Sequence, residues 1–151
     1  MINSPVAFHA VVGIAVSKAI DEVLHRAEQE LIKIIDQVVT NESEDYTPAD
    51  VGISESWKVE VRGMFGELRH DPNLLSLRPS MWQHGSAYDN NWRDVRDIFI
   101  DIIQGGYNAY NAHTGRPIAP RPFWDLFMNK LNRQFDRWFR TALRRQGLMV
   151  I

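Results

Sequence analysis

The five histidines are the residues best suited to metal or acid–base chemistry in this chain. They are His9, His25, His70, His84 and His113. None belongs to an HExxH pattern, and none has a second histidine at metal-ligand spacing. The nearest approach to a ligand set is Asp21, His25 and Glu28, which share one face of a helix. Because metal sites need ligands that converge from several elements, we expect a solvated polar face there and no bound metal.

Motifs for nucleophilic catalysis and for nucleotide binding are also missing. The tripeptide His84-Gly85-Ser86 places a histidine beside a serine but supplies no residue to orient the base. The chain has neither GxGxxG nor GxxxxGK, and Gly105-Gly106 is better explained as the end of a helix. We therefore expect no cofactor, no catalytic residue and no enzymatic activity.

A row of cations near the C-terminus is the strongest polar pattern. Its members recur at steps of three and four residues, so they line one side of a helix. This cationic ridge consists of Lys130, Arg133, Arg137, Arg140 and Arg144. Three interpretations stay open: a surface for nucleic-acid phosphates, a contact for an acidic neighbouring subunit, or a solvated face paired with acids such as Asp136.

A long helix is predicted at the N-terminus, from about Pro5 to Val39. The apolar residues that form its stripe are Val12, Val16, Ile20, Val23, Ala27, Leu31, Ile34 and Val38. Ser4 suits the cap position and Pro5 the first turn. Roughly 34 residues would extend about 50 Å, more than a compact domain needs. We expect the helix either to break near Gly13 or to project toward a partner.

The segment that follows combines a loop with a short strand. Residues 41–50 are polar and acidic and end in a turn at Tyr46-Thr47-Pro48. Trp57, Val59 and Val61 then alternate with charged residues, as in a half-buried strand. A helix through the same residues also fits the pattern, but the β-branched valines and the nearby glycines favour the strand. No clean second or third strand is predicted after it.

Two more helices are predicted in the second half. After an irregular stretch over 70–91, an apolar stripe from Trp92 to Ile103 indicates a helix that ends at Gly105-Gly106. The residues up to Arg121 are rich in turn formers. From Pro122 to about Arg145 an aromatic stripe predicts a third helix with a buried face, formed by Trp124, Phe127, Leu131, Phe135 and Trp138. Phe139 diverges from its neighbour Trp138, so at least one of the two is expected at an interface.

The overall composition bounds the remaining possibilities. A chain of 151 residues fits a single domain spanning 1–151. It contains no cysteine, which excludes disulfides and thiolate chemistry. The longest apolar stretch, Val6 to Val16, is too short to span a bilayer, and no basic residue precedes it, so neither a membrane segment nor a signal peptide is expected.

Charge is distributed unevenly along the chain. Residues 1–55 hold ten acids against three bases, residues 56–115 seven against six, and residues 116–151 two against eight. Opposite charges at the two ends can pair within one subunit or between neighbours, and the basic end can also face nucleic acid.

The order of motifs resembles the head-to-tail joining and tail-completion (neck) proteins of long-tailed bacteriophages. The residues that carry the resemblance are Tyr46-Thr47-Pro48, Ser56-Trp57-Lys58-Val59 and Pro120-Arg121-Pro122-Phe123-Trp124. They place a turn before a Ser-Trp strand and an Arg-Pro-Phe motif at the start of the last helix. The match spans most of the chain, although each motif is short.

This resemblance implies an α+β subunit. In it, a long N-terminal helix and an aromatic-rich C-terminal helix pack on a small antiparallel sheet, with an additional middle helix. A mainly α fold is the alternative. It further implies a homo-oligomeric ring of six or twelve copies around the DNA channel, with other neck or tail proteins as partners. The location would be the virion, and the host cytoplasm before assembly. The alternative function is a nucleic-acid-binding accessory protein that uses the cationic ridge.

Overall fold

A computed structural model describes residues 5–40, 52–76, 99–110 and 117–149. These residues form an α+β fold with three α-helices and two pairs of strands, which confirms the predicted fold class. In the part of the chain so described, each helix is too short or too polar to cross a lipid bilayer.

The first helix, α1, spans Pro5–Ile35 and continues into a single π-helical turn at Asp36–Thr40. The helix begins at Pro5. Proline suits a first turn, because the amide hydrogen that it lacks would have no hydrogen-bond partner there. Gly13 lies inside the helix, which is continuous there, so the break considered near Gly13 does not occur. At about 1.5 Å per residue, its 31 residues extend roughly 46 Å.

The buried side of α1 differs from the predicted stripe in its first half. Ala15 and Ala19 are buried, whereas Val12, Val16 and Ile20 are only half-buried. The prediction was wrong here because it favoured the larger β-branched side chains. The contact surface instead selects small ones, which let neighbouring elements approach closely. Farther along, the predicted positions from Val23 to Ile34 are buried as expected.

The predicted strand is confirmed as β1, Trp57–Arg62, and a second strand, β2, spans Phe65–His70. The two-residue connection between the strands starts with Gly63, whose φ is 60°. Two-residue hairpin turns need a positive φ, and this requirement favours glycine. No second strand was predicted because none of the β2 side chains is fully buried and Phe65 is 64% exposed. A strand without an apolar face leaves little periodic signal.

The second helix, α2, spans Phe99–Gly105, followed by Gly106 at φ 73°. This confirms the predicted helix end, while the predicted start at Trp92 lies outside the described residues. The next strand, β3 at Tyr107–Tyr110, pairs antiparallel with β4 at Pro117–Ile118, with an irregularity between the two paired positions. These strands replace the turn-rich segment expected here. Most of the irregular stretch over 70–91 and all of the loop over 41–50 lie outside the description.

The third helix, α3, spans Phe123–Arg145, as predicted. It ends at Gly147, whose φ is 80°. The amide of Leu148 donates a hydrogen bond to the carbonyl oxygen of Leu143 at 3.0 Å. The amide of Gly147 donates to the carbonyl oxygen of Arg144 at 3.0 Å. This pair of bonds is the Schellman arrangement, in which glycine adopts the left-handed conformation without a Cβ penalty.

The described residues fall into two compact units. Unit 1 is built from Met1–Glu30, Lys58–Arg69 and Phe127–Ile151, and unit 2 from Leu31–Trp57 and His70–Leu126. Both α1 and α3 therefore contribute residues to each unit. The single domain over 1–151 stays a prediction.

The aromatic stripe of α3 is buried only in part. Phe127 and Trp138 are 2% and 3% exposed, whereas Leu131 and Trp124 are half-buried and Phe135 is 45% exposed. The prediction that all five positions face the core was therefore wrong at Phe135. Because 3.6 residues complete a turn, a stripe this wide reaches past the buried face to the flank of the helix.

Candidate functional site

The cationic ridge on α3 divides into paired and solvent-facing members. Lys130 forms an ion pair with Glu30 of α1, and Arg140 pairs with Asp136 one turn earlier, at 2.8 Å. The Glu30 side chain is only 16% exposed, so its pair with Lys130 is partly shielded from water. The Lys130 pair joins α3 to α1, and the Arg140 pair lies within α3. Pairing with nearby acids is what the solvated-face interpretation of the ridge expects.

The other three ridge residues face solvent. Arg133, Arg137 and Arg144 are exposed, and Arg137 donates to the Gln134 amide oxygen at 3.3 Å. Within the described ranges, none of the three forms an ion pair. Exposed guanidinium groups can bind a phosphate or a carboxylate of a partner through several N–H donors.

Opposite charges at the two ends of the sequence also pair inside unit 1. Arg145 forms an ion pair with Glu22 at 2.5 Å, and this joins α3 to α1 as the pair between Lys130 and Glu30 does. Beside them, the Arg26 guanidinium lies 4.5 Å from the centre of the buried Trp138 ring, a cation–π contact. Part of the charge asymmetry is thus used within the subunit.

An apolar groove of about 310 Å³ lies on unit 1 and was not predicted. Its walls come from α1, the hairpin and α3, and they include Ile20, Leu24, Met64, Phe65, Phe135 and Phe139. The Phe135 and Phe139 rings stack, with centroids 5.9 Å apart and planes 12° apart. Since Met64 and Phe65 are about two-thirds exposed, the groove is open to solvent.

Gly66 is one of the residues that line this groove. A Cβ on Gly66 would come within 2.5 Å of the Ile20 Cγ2 atom and 2.6 Å of the Leu24 Cδ1 atom. Only glycine lets β2 approach α1 this closely. The sequence signal that could have pointed to the groove is the apolar pair Met64-Phe65 set between Gly63 and Gly66.

The first turns of α1 form a second apolar surface on unit 1, here called the apolar tip (residues 6–14). Every residue from Val6 to Val11 is exposed. The large side chains of the tip are Val6, Phe8, Val11 and Ile14, which are 78%, 54%, 50% and 58% exposed. No charged residue occurs before Lys18. Contiguous exposed apolar residues of this kind mark interaction sites.

The histidines form no shared site among the described residues. The His25 Nδ1 atom lies 3.0 Å from the Asp21 carbonyl oxygen and 3.4 Å from its carboxylate, on an exposed face. Phe8 and His9 rings lie edge to face on the apolar tip. Over the described ranges, no three His, Asp or Glu side chains lie close enough together to hold a metal. His84, Ser86 and His113 lie outside them.

His70 belongs to an aromatic cluster in unit 2. The Trp57 ring stacks on Trp124, with centroids 5.3 Å apart and planes 10° apart, and His70 packs against Trp57 at 5.3 Å. Burial lowers the pKa of His70 below its usual 6.5, while the nearby Asp71 carboxylate acts in the opposite direction. The cluster connects β1, β2 and α3, which is a structural role.

Comparison with known proteins gives no further guide to function. No protein-family model, no curated protein and no solved structure matches this chain.

Proposed function

We propose that this chain is a non-catalytic, ring-forming structural subunit of the neck or tail of a long-tailed bacteriophage. It joins the head to the tail or completes the tail, and it works in the virion after folding in the host cytoplasm. Six or twelve copies form the ring around the DNA channel.

The observation that carries the proposal is the exposed apolar tip of α1. Val6, Phe8 and Val11 lie in water on a helix that has no charged residue in its first turns. Isolated exposed apolar residues are ordinary, but a contiguous set on one helix end is costly in water and is characteristic of an interface. A chain that presents such a surface is suited to packing against neighbours in a closed assembly.

The position of the resembling motifs supports the phage assignment. Trp57 opens strand β1 directly after Ser56, and Phe123 opens helix α3 directly after Arg121-Pro122. These are the elements in which the resemblance expects its Ser-Trp and Arg-Pro-Phe motifs. The Tyr46-Thr47-Pro48 turn lies outside the described residues.

Native mass spectrometry over a range of protein concentrations tests the proposal. We expect a discrete species of six or twelve copies, with a sizing column giving the same mass in mild buffer. A strictly monomeric protein at all concentrations would contradict the ring. Labelling the native ring with antibody on purified particles tests its position: signal at the head–tail junction or tail end is expected, and none on intact particles would contradict the virion assignment.

The nucleic-acid-binding alternative is favoured by the solvent-facing cations Arg133, Arg137 and Arg144. If they serve DNA, Arg133→Glu with Arg137→Glu should abolish retention of duplex DNA and flatten the dependence of affinity on salt, with assembly unchanged. If they serve assembly, the same double variant should fold but fail to enter the ring. Lys33→Glu with Arg62→Glu makes the same change in net charge elsewhere and is the matched control.

A further inference from the structure

Three exposed arginines of the cationic ridge point in nearly one direction from α3. Arg133, Arg137 and Arg144 lie within about 40° of one another around the helix axis, at 3.6 residues per turn. Between the first and the last of them, the other residues within about 60° of this line are Arg140 and Thr141. Both acids of α3 lie at least about 80° away from it. The line is therefore narrow, polar and cationic.

This line of arginines lies on the far side of α3 from the apolar groove. Phe135 and Phe139 are the residues of α3 that line the groove. Each is two residues from Arg137, which puts it about 160° away around the helix axis. Charged residues that border an apolar contact usually form its polar rim. Because these arginines face the other way, they are not the rim of the groove and form a surface of their own.

Unit 1 carries a surplus of positive charge. Its three ranges contain eleven bases and seven acids, although the whole chain has a formal net charge of -2. Three of those acids, Glu22, Glu30 and Asp136, pair with other cations of α3. A surplus of one sign that is concentrated on an exposed line attracts partners of the opposite sign. The partner of this surface is therefore an anion.

The composition of the line favours a nucleic-acid backbone over an acidic protein. Protein–protein interfaces have an apolar centre from which charged side chains are depleted, whereas this sector of α3 contains only arginine and threonine. Interfaces with nucleic acid are more polar and much more positively charged. Arginine also suits phosphate, because its planar guanidinium group donates two parallel hydrogen bonds to the phosphate oxygens.

The dimensions of the line indicate how many phosphates it contacts. At 1.5 Å per residue, Arg133 and Arg137 lie about 6 Å apart along the axis, and Arg144 lies about 10 Å farther. Each strand of duplex DNA carries one phosphate per about 3.4 Å of its axis, so the whole line spans about five successive phosphates. A line only about 40° wide on one helix does not straddle a groove of the duplex. Three arginines then contact three phosphates of one strand.

We propose that Arg133, Arg137 and Arg144 bind phosphates of one strand of duplex DNA without sequence preference. This inference rests on the nucleic-acid-binding candidate described above, and it adds the ligand and the binding mode. Contacts to phosphate carry no sequence information, which is why no preference is expected. Since the ridge and the groove lie on opposite sides of α3, bound DNA leaves the groove uncovered.

The salt dependence of binding to a fluorescently labelled duplex tests this mode. Affinity is measured by anisotropy at several salt concentrations, and a titration at high protein concentration gives the number of subunits bound. The logarithm of the association constant should fall with the logarithm of the salt concentration with a slope of about -2.7 for each bound subunit, as expected for three phosphates. Duplexes of unrelated sequence should bind within about twofold of one another.

Single substitutions assign the slope to the ridge. Arg133→Gln, Arg137→Gln and Arg144→Gln should each reduce the slope by about one for each bound subunit, whereas Arg137→Lys keeps the charge and should keep the slope. Arg62→Gln is the matched control, because it removes an exposed cation from the hairpin of the same unit and should leave the slope unchanged. Circular dichroism checks that each variant is folded, and native mass spectrometry measures its assembly.

The outcomes separate this inference from the functions proposed above. DNA binding with an unchanged slope in all three ridge variants would overturn the role of the ridge and leave the nucleic-acid-binding candidate standing. No retention of duplex DNA at about 50 mM salt would overturn both, and the ring would still be decided by its mass. A slope beyond about -5 for each subunit would indicate contact with both strands and would overturn the one-strand mode. Polyglutamate that competes as well as DNA at equal charge would identify an acidic protein as the partner and overturn the proposal.

Discussion

The two units of this protein use their apolar residues in opposite ways. Among the residues that the structure describes, the largest side chains that are fully buried belong to unit 2: Phe99, Phe123, Leu31, Ile35, Ile103, Val39 and Ser56. The buried positions of unit 1 include several alanines: Ala15, Ala19, Ala27 and Ala142. Among the described residues, eight of the ten large apolar side chains that are exposed lie in unit 1, although that unit also buries Phe127 and Trp138.

This difference indicates a division of roles. Burying a large apolar side chain stabilises a fold by about 1.5–3 kcal/mol, so unit 2 supplies much of the stabilising burial. Unit 1 buries small alanines beside the larger Phe127 and Trp138. The large side chains on its flanks, such as Phe65 and Phe135, then remain available to a partner. We expect changes in unit 2 to affect stability and changes on the surface of unit 1 to affect association.

The largest expected effect is on stability, from a truncation in unit 2. Phe123→Ala removes a side chain that is 0% exposed and should lower the free energy of unfolding by about 3–5 kcal/mol. Phe135→Ala, on the same helix but 45% exposed, should cost about 1 kcal/mol or less. Urea denaturation of both variants measures the difference. Equal losses would show that the two units do not differ in the way described.

A smaller effect is expected from the partly shielded ion pair of unit 1. Lys130→Met leaves Glu30, which is only 16% exposed, without this partner and should cost about 1 kcal/mol. Arg133→Met removes an exposed cation three residues away on the same ridge and should change stability by no more than about 0.5 kcal/mol. Thermal melts in low and in high salt compare them. A larger loss for Arg133→Met would mean that the ridge is divided differently.

The smallest effect concerns pH and the aromatic cluster of unit 2. Burial lowers the pKa of His70 in the folded protein below the value of 6.5 for an exposed imidazole. As the pH falls, the unfolded chain therefore takes up a proton before the native protein does, and acid favours unfolding. The stability associated with neutral His70 is complete above about pH 6.5 and is lost as the pH falls below it toward the lowered pKa.

His70→Gln should therefore make the stability of the protein less dependent on pH between 7.5 and 5. Urea midpoints at several pH values provide the measurement. The same substitution at an exposed histidine, His25→Gln, is measured in parallel as the comparison variant. A slope unaltered by His70→Gln would show that this ring does not contribute to acid sensitivity.

The elements with strong periodic patterns were predictable. The apolar stripes predicted the bounds of α1 and α3 to within a few residues. Gly106 and Gly147 lie just past the ends of α2 and α3, where a positive φ favours glycine. Strand β1 was predictable from its alternating valines. These features depend on local backbone chemistry and on apolar spacing, both of which the sequence carries directly.

The sequence predicted that the cations of the ridge form a row, but it did not predict which of them form ion pairs and which face solvent. Spacing alone puts Lys130 and Arg133 on one side of a helix. That Lys130 meets Glu30, one hundred residues earlier, while Arg133 faces solvent, depends on how α1 and α3 pack in unit 1. Pairing between distant residues is a property of tertiary structure.

The sequence by itself determined the three helices, the first strand, the absence of cysteine and the opposed charges of the two ends. The tertiary structure alone decided which apolar residues are buried. It selected Ala15 and Ala19 over Val12 and Val16, and it left Phe65 in water beside Gly66. The physical reason is that apolar side chains look alike in a sequence pattern, whereas burial depends on the space that neighbouring elements leave for them.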